Sequence, residues 1–163
     1  MNLIKTIKDL DRVRDECYKL VTTRSGMSAA AAAVPVPGVD LAADIGLLVD
    51  LIPKINRKFG LTPEQIDDLS PELKQKVAVI ATSIGSELIG KVVSQPVIIS
   101  LLKKVGVRVA SKSITKFIPI VGTAISASVS FGVMKWMGNS HVNDCYEVLK
   151  HLIEAQTEAE AVV

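Results

Sequence analysis

Apolar residues recur at spacings of three and four along most of this chain. Leu3, Ile4, Ile7, Leu10, Val13, Cys17, Leu20 and Val21 form the first such stripe, with Lys5, Lys8, Asp9, Arg12, Asp15 and Glu16 largely off it. That pattern predicts an amphipathic helix over 1–25, ending near Arg24-Ser25-Gly26. The alanine-rich run from Met27 to Val34 suits a short helix of small cross-section. From Asp40 to about Phe59 the stripe Leu41, Ile45, Leu48, Val49, Ile52 and Ile55 predicts a mostly buried helix, which Pro53 is expected to kink or to end as a regular element. Asp50 and Lys54 within it stand in the favourable i, i+4 order.

Thr62-Pro63-Glu64-Gln65 reads as a helix start, with Thr as cap, Pro in the first position and Gln at the third. Ser70-Pro71-Glu72 is a second start. A helix from Pro71 to about Ser94 would carry Val77, Ile80, Ile84, Leu88 and Val92, with Gln95-Pro96 as its breaker. Val97 to Lys104 and Val107 to Lys116 follow as two short helices parted by Gly106. Val121 to Met137 is apolar and rich in small residues, Gly138-Asn139 is expected to end it, and His141 to about Glu160 is a last amphipathic helix. No stretch alternates with period two for long enough to demand a sheet. The prediction is one all-α domain over 1–163, a bundle of about seven or eight helices around two very apolar central ones.

Those two central helices share an opening phrase. Val34-Pro35-Val36-Pro37-Gly38-Val39-Asp40 precedes the first, and Phe117-Ile118-Pro119-Ile120-Val121-Gly122-Thr123 precedes the second. Proline stops a preceding helix, glycine permits a sharp turn, and Asp40 or Thr123 is of the type that caps the next one. Gly122, Ser126 and Ser130 lie four apart and offer a small-residue face for close helix packing.

Composition narrows the function. A net charge of +2 and an aromatic share of 4% give neither a nucleic-acid footprint nor a stacking platform. The first residues are charged and periodic, with no uninterrupted apolar run to act as a secretory signal. Cys17 and Cys145 make no disulfide framework, and a cytoplasmic setting is the expectation. Two buried free thiols are favoured over a bridge between the first and last helices.

Candidate chemistry is thin. Gly85-Ser86-Glu87-Leu88-Ile89-Gly90-Lys91-Val92 matches a phosphate-binding loop up to its final position, where Val92 replaces the Ser or Thr that holds magnesium. The same residues fit a helix with apolar positions 77, 80, 84, 88 and 92, and that reading is preferred. His141 and His151 are ten apart with no accompanying ligand motif, so no metal site is expected. Asp40 and Asp44 read as a cap and a first-turn acid rather than as a catalytic carboxylate pair. Catalytic, cofactor-binding and metal-binding residues are therefore all expected to be absent.

The block from Phe117 to Met137 approaches membrane-spanning length, with Lys135 and Trp136 placed as an interfacial anchor. Against this stand Pro119, the serines and glycines, and in the first block Asp40, Asp44 and Asp50, which are costly in lipid. Buried helices are the preferred reading. Peripheral contact is compatible with it, using Lys103, Lys104, Arg108, Lys112 and Lys116 against anionic headgroups.

The order of these motifs resembles a known family. Val36-Pro37-Gly38-Val39-Asp40-Leu41-Ala42-Ala43-Asp44-Ile45-Gly46, then Phe59-Gly60-Leu61, then Phe117-Ile118-Pro119-Ile120-Val121-Gly122-Thr123 and a charged terminal helix are similar to the helical domain of the immunity-related (interferon-inducible) GTPases. The resemblance covers about 27–155 and extends to similar Pro-Gly-rich helical domains of other GTPase-like proteins. It implies a helical fold that works at membranes or beside a GTPase. The family's GTP-binding domain is not expected in this chain, which has no complete phosphate loop and no Asn-Lys-x-Asp, so GTP hydrolysis is not carried over. The expected function is a non-enzymatic helical module for peripheral membrane association, for docking to a separately encoded GTPase-like partner, or for both. The alternative is a small toxin-like or immunity-like protein that inserts the two apolar helices as a hairpin. Acid would favour that insertion by protonating the three aspartates.

Overall fold

The computed structural model describes residues 4–33, 39–112 and 122–161. Among these every regular element is an α-helix. In chain order they are α1 (Ile7–Ala32), α2 (Val39–Phe59), α3 (Pro63–Asp67), α4 (Pro71–Ser83), α5 (Gln95–Lys112) and α6 (Gly122–Ala161). The all-α expectation holds, but the described residues form six helices rather than seven or eight. The difference is a matter of how glycine was read. Gly26, Gly106 and Gly138 were expected to end helices, and all three lie inside continuous ones. An interior glycine costs only about 1 kcal/mol relative to alanine, which packing readily offsets.

The glycines that do end helices have left-handed backbones. Gly60, at φ 76°, follows α2, and the Leu61 and Gly60 amides donate back to the Asn56 and Arg57 carbonyls at 2.8 and 3.2 Å. Gly85, at φ 74°, follows α4 in the same way, with Ser86 and Gly85 donating to Ala81 and Thr82 at 2.9 and 3.0 Å. Both are six-to-one and five-to-two closures that satisfy the last carbonyls of a helix. The helix expected over 71–94 therefore stops at Ser83, and residues 84–94 form a loop. Two helix starts match the expectation: Thr62 and Gln65 make the reciprocal capping box, and Ser70 caps α4. α1 begins later than expected, at Ile7, with Thr6 as its cap. Pro53 lies within α2 and does not end it.

Three helices meet in the core: α1 packs along α6, and α2 packs against both. Leu10, Cys17 and Val21 come from α1, and Leu48, Leu51, Ile52, Ile55 and Phe59 from α2. Met134, Met137, Val142, Cys145, Val148, Leu149 and Leu152 come from α6. Gly138 lets α1 and α6 approach closely, since a Cβ there would stand 2.7 Å from a methyl of Val21. The smaller helices lie outside this trio, α5 against α2 and α4 against α6.

Candidate functional site

The phosphate-loop look-alike is the 84–94 loop. It follows helix α4 rather than a strand, and α5 begins at Gln95, beyond Lys91. A phosphate cradle needs a strand before the loop and a helix whose first amides face the anion directly after it. Gly90 has a different role: its φ is 67°, its amide donates to Leu61 O at 3.2 Å, and a Cβ would stand 2.8 Å from Ile66. The helical reading of residues 84–92 was incorrect, and the loop that replaces it is not built to hold a nucleotide.

Beneath this loop lies a buried polar cluster. Asn56 of α2 donates its Nδ2 to Leu88 O at 3.1 Å, which turns Oδ1 toward α6. There the His141 Nε2 sits 2.8 Å from Oδ1, so Nε2 carries the proton. Cys145 Sγ lies 3.6 Å from Asn56 Oδ1 and 3.6 Å from His141 Nε2. Cysteine, histidine and asparagine together evoke a thiol nucleophile with its base and orienter. The geometry and electrostatics oppose that reading. One ring nitrogen faces both partners, whereas a relay uses one nitrogen for each. Burial pushes the thiol well above its ordinary pKa and lowers the imidazole to about 4, the opposite of a thiolate–imidazolium pair. The cluster ties α2, α6 and the loop together. Cys17 and Cys145 are both buried and free, as expected.

Asp44 and Asp50 of α2 are engaged by α1. Ser28 donates to buried Asp44, and Asp50 pairs with Arg24 and with Lys54, each at 2.6 Å. Lys58 near the end of α2 reaches Glu16 of α1 at 2.7 Å. Among the described residues no helix is long and apolar enough to cross a membrane, and no group of three or more metal-ligating side chains comes together.

The remaining candidate residues are scattered. Lys103 and Lys104 are exposed on α5, and Lys104 is bound by Glu87 at 2.8 Å. Arg108 and Lys112 belong to α5, Asp40 to α2, and Gly122, Thr123, Ser126 and Ser130 to the first turns of α6. Pro35, Pro37, Gly38, Lys116 and Pro119 lie outside the described residues. Sequence reasoning did not single out Asn56 or Asp144. Asn56 stands one turn beyond Ile52 on the buried side of α2, and a polar residue in that register was the available signal.

No family model matches this chain, and no solved structure does. Curated proteins do match, among them two from mammals. Interferon-inducible GTPase 5 of Rattus norvegicus is 26% identical over 162 residues, which covers 95% of this chain and 35% of the relative. Interferon-inducible GTPase 5 of Bos taurus is 27% identical over 144 residues, which covers 87% of this chain and 31% of the relative. The chain thus spans about a third of the length of the curated relatives it matches. The similarity supports a link to the interferon-inducible GTPases.

Proposed function

We propose that this chain is a non-enzymatic helical module that acts beside a GTPase-like protein, docking on it at an anionic membrane surface. One observation carries the reading: nearly all of an all-helical chain is similar to a stretch of Interferon-inducible GTPase 5. The 84–94 loop supports the non-enzymatic part, because its surroundings are wrong for phosphate. In this reading α2 and the apolar first half of α6 are the two central helices. Gly122, Ser126 and Ser130 form the close-packing face, and the two Pro-Gly phrases set the starts of both helices. The basic residues Lys103, Lys104, Arg108, Lys112 and Lys116 of 103–116 face the lipid headgroups. The engagement of Asp44 and Asp50 by α1 weighs against insertion of α2 as a hairpin arm.

Flotation with anionic and with neutral vesicles tests this, at about pH 7 and about pH 5, with leakage of a trapped dye read in parallel. The expected result is binding to anionic vesicles without leakage, weakened by Lys112→Glu with Lys116→Glu. Leakage that grows in acid would replace the proposal with insertion. Absence from both vesicle types would remove the membrane part. Failure to associate with purified Interferon-inducible GTPase 5 would count against the docking part.

A further inference from the structure

Met134, Met137, Val142 and Leu149 of α6 are taken up by the core, but Trp136 stands 52% exposed on the outer side of the helix. Gly132, Lys135, Asn139, Ser140 and Asn143 line a hollow beside it. Positions 132, 136, 139 and 143 have the spacing of one helix face. That face is open: among the described residues, a Cβ on Gly132 would meet nothing within 4 Å. An indole joins a large apolar body to a single N–H donor, which suits it to a boundary between water and hydrocarbon.

The charges around the indole decide what covers it. Lys135 is the ionised residue of the hollow, and its Nζ lies 5.5 Å from the centre of the Phe131 ring. On the other side of the indole, Trp136 lines a cavity together with Leu101 and Lys104 of α5. Trp136 therefore adjoins α5 at Lys104, one of the residues that the membrane reading uses. The carboxylates on that side do not cancel the match. Glu87 is already paired with Lys104 at 2.8 Å, and Asp144 is half-buried about two turns further along α6. A second copy of this chain on the same face would set Lys135 against its own duplicate, a like-charge contact. An anionic bilayer meets Lys135 with opposite charge and takes the indole into its headgroup layer.

We propose that Trp136 is the anchor that seats this protein in the headgroup layer of an anionic bilayer, with Lys135 pairing to lipid phosphate. The proposal rests on the membrane part of the function proposed above and names its apolar contact.

Trp136 is the single tryptophan of the chain, so its fluorescence reports on this position alone. The test mixes the full chain with phosphatidylserine–phosphatidylcholine vesicles and with phosphatidylcholine vesicles, follows the emission, and floats the same samples. A parallel set of vesicles carries bromine at either end of the acyl chains. The expected result is flotation with the anionic vesicles and a blue shift, quenched more by bromine near the headgroups than by bromine near the terminal methyls. Trp136→Ala should weaken flotation by about tenfold, the loss expected when half an indole no longer leaves water. Lys135→Gln should weaken it by about fivefold. Flotation with unshifted and unquenched emission would overturn the anchor and leave the membrane part of the proposed function standing. So would flotation of Trp136→Ala equal to that of the wild type. Quenching strongest at the terminal methyls would replace the anchor with deep insertion. Absence from both vesicle types would remove the membrane part itself, and the anchor with it. The wild-type emission decides the matter even if Trp136→Ala does not fold.

Discussion

The seam between α2 and α6 and the seam between α2 and α1 both carry polar groups, but of different kinds. Between α2 and α6 the groups are neutral and shut off from water: Asn56 is 1% exposed, His141 2% and Cys145 0%. Between α2 and α1 the outer groups are charged and partly wet, with the Asp50 side chain 41% exposed and its Arg24 partner 21%. Burial alone explains the division. A neutral amide and an imidazole can be enclosed at modest cost when most of their hydrogen bonds are met, with only His141 Nδ1 left without a partner here, whereas an enclosed ion pair rarely recovers its desolvation. The first seam fixes a unique arrangement, and the second adds a modest, solvent-screened attraction. Asp44 is the exception on the α1 side, buried at 8% with Ser28 bonded to it.

The largest effect should come from the neutral seam. Asn56→Ala would strip the partner from His141 Nε2–H and from Leu88 O at once. Two buried groups left unmet should cost about 3 kcal/mol. In urea the midpoint should fall sharply with little change in slope, since the surface exposed on unfolding is unaltered. A midpoint shift worth less than about 1 kcal/mol would mean that the loop and imidazole find other partners, and the contrast between the seams would weaken.

Much of this contrast was written into the chain, and part of it was not. The stripes of α1, α2 and the second half of α6 place Leu10, Ile52 and Leu149 in the core without ambiguity. Caps at Thr62 and Ser70 are local chemistry and were legible for that reason. Gly60 was legible as the close of α2, but Gly85 and Gly138 were not. Gly138 is required by Val21, more than a hundred residues away in sequence, while Gly85 closes a helix through its own φ of 74°. Nothing in the residues adjoining either one distinguishes a close approach from a stop. The same holds for the polar cluster. Asn56, His141 and Cys145 come from two helices, and a third partner, Leu88 O, exists only because α4 ends early.

Acid should separate the seams by the pH at which each loses stability. The His141 pKa is about 4 in the fold against an ordinary 6.5, through burial of the ring. A depressed folded pKa means that the fold rejects the proton, so this contribution is complete above about pH 6.5. It is lost as pH falls from there through about 4, and the shift is equivalent to about 3 kcal/mol. Asp50 is lowered from 3.8, first by its hydrogen bond with Lys54 and then by the charge of Arg24. Its contribution is present above 3.8 and disappears only below that value. Denaturation midpoints followed from neutral to acid should therefore drop first in the higher window. That drop should vanish in His141→Gln, measured against its own neutral value. A wild-type curve that stays flat between about pH 6.5 and about 4 would show that the imidazole accepts a proton in place, and the neutral seam would no longer be the acid-sensitive one.

The smallest effect belongs to the charged seam. Asp50→Asn removes the charge that Arg24 and Lys54 share but keeps the shape of the side chain. Since the carboxylate is more than a third exposed, solvent screens it, and the loss should be under about 1 kcal/mol. It should also shrink further as salt is raised, because partly exposed charges are screened over roughly 8 Å at physiological ionic strength. Asn56→Ala measured in the same salt series should keep its full cost, as no charge is involved. The two variants, compared at low and high salt, thus sort hydrogen bonding from Coulomb attraction within one helix. A loss in Asp50→Asn that is large and indifferent to salt would place Arg24 among the buried structural groups. Its Nε is already enclosed without a partner, and a guanidinium left with no carboxylate there would carry a desolvation cost that salt does not relieve.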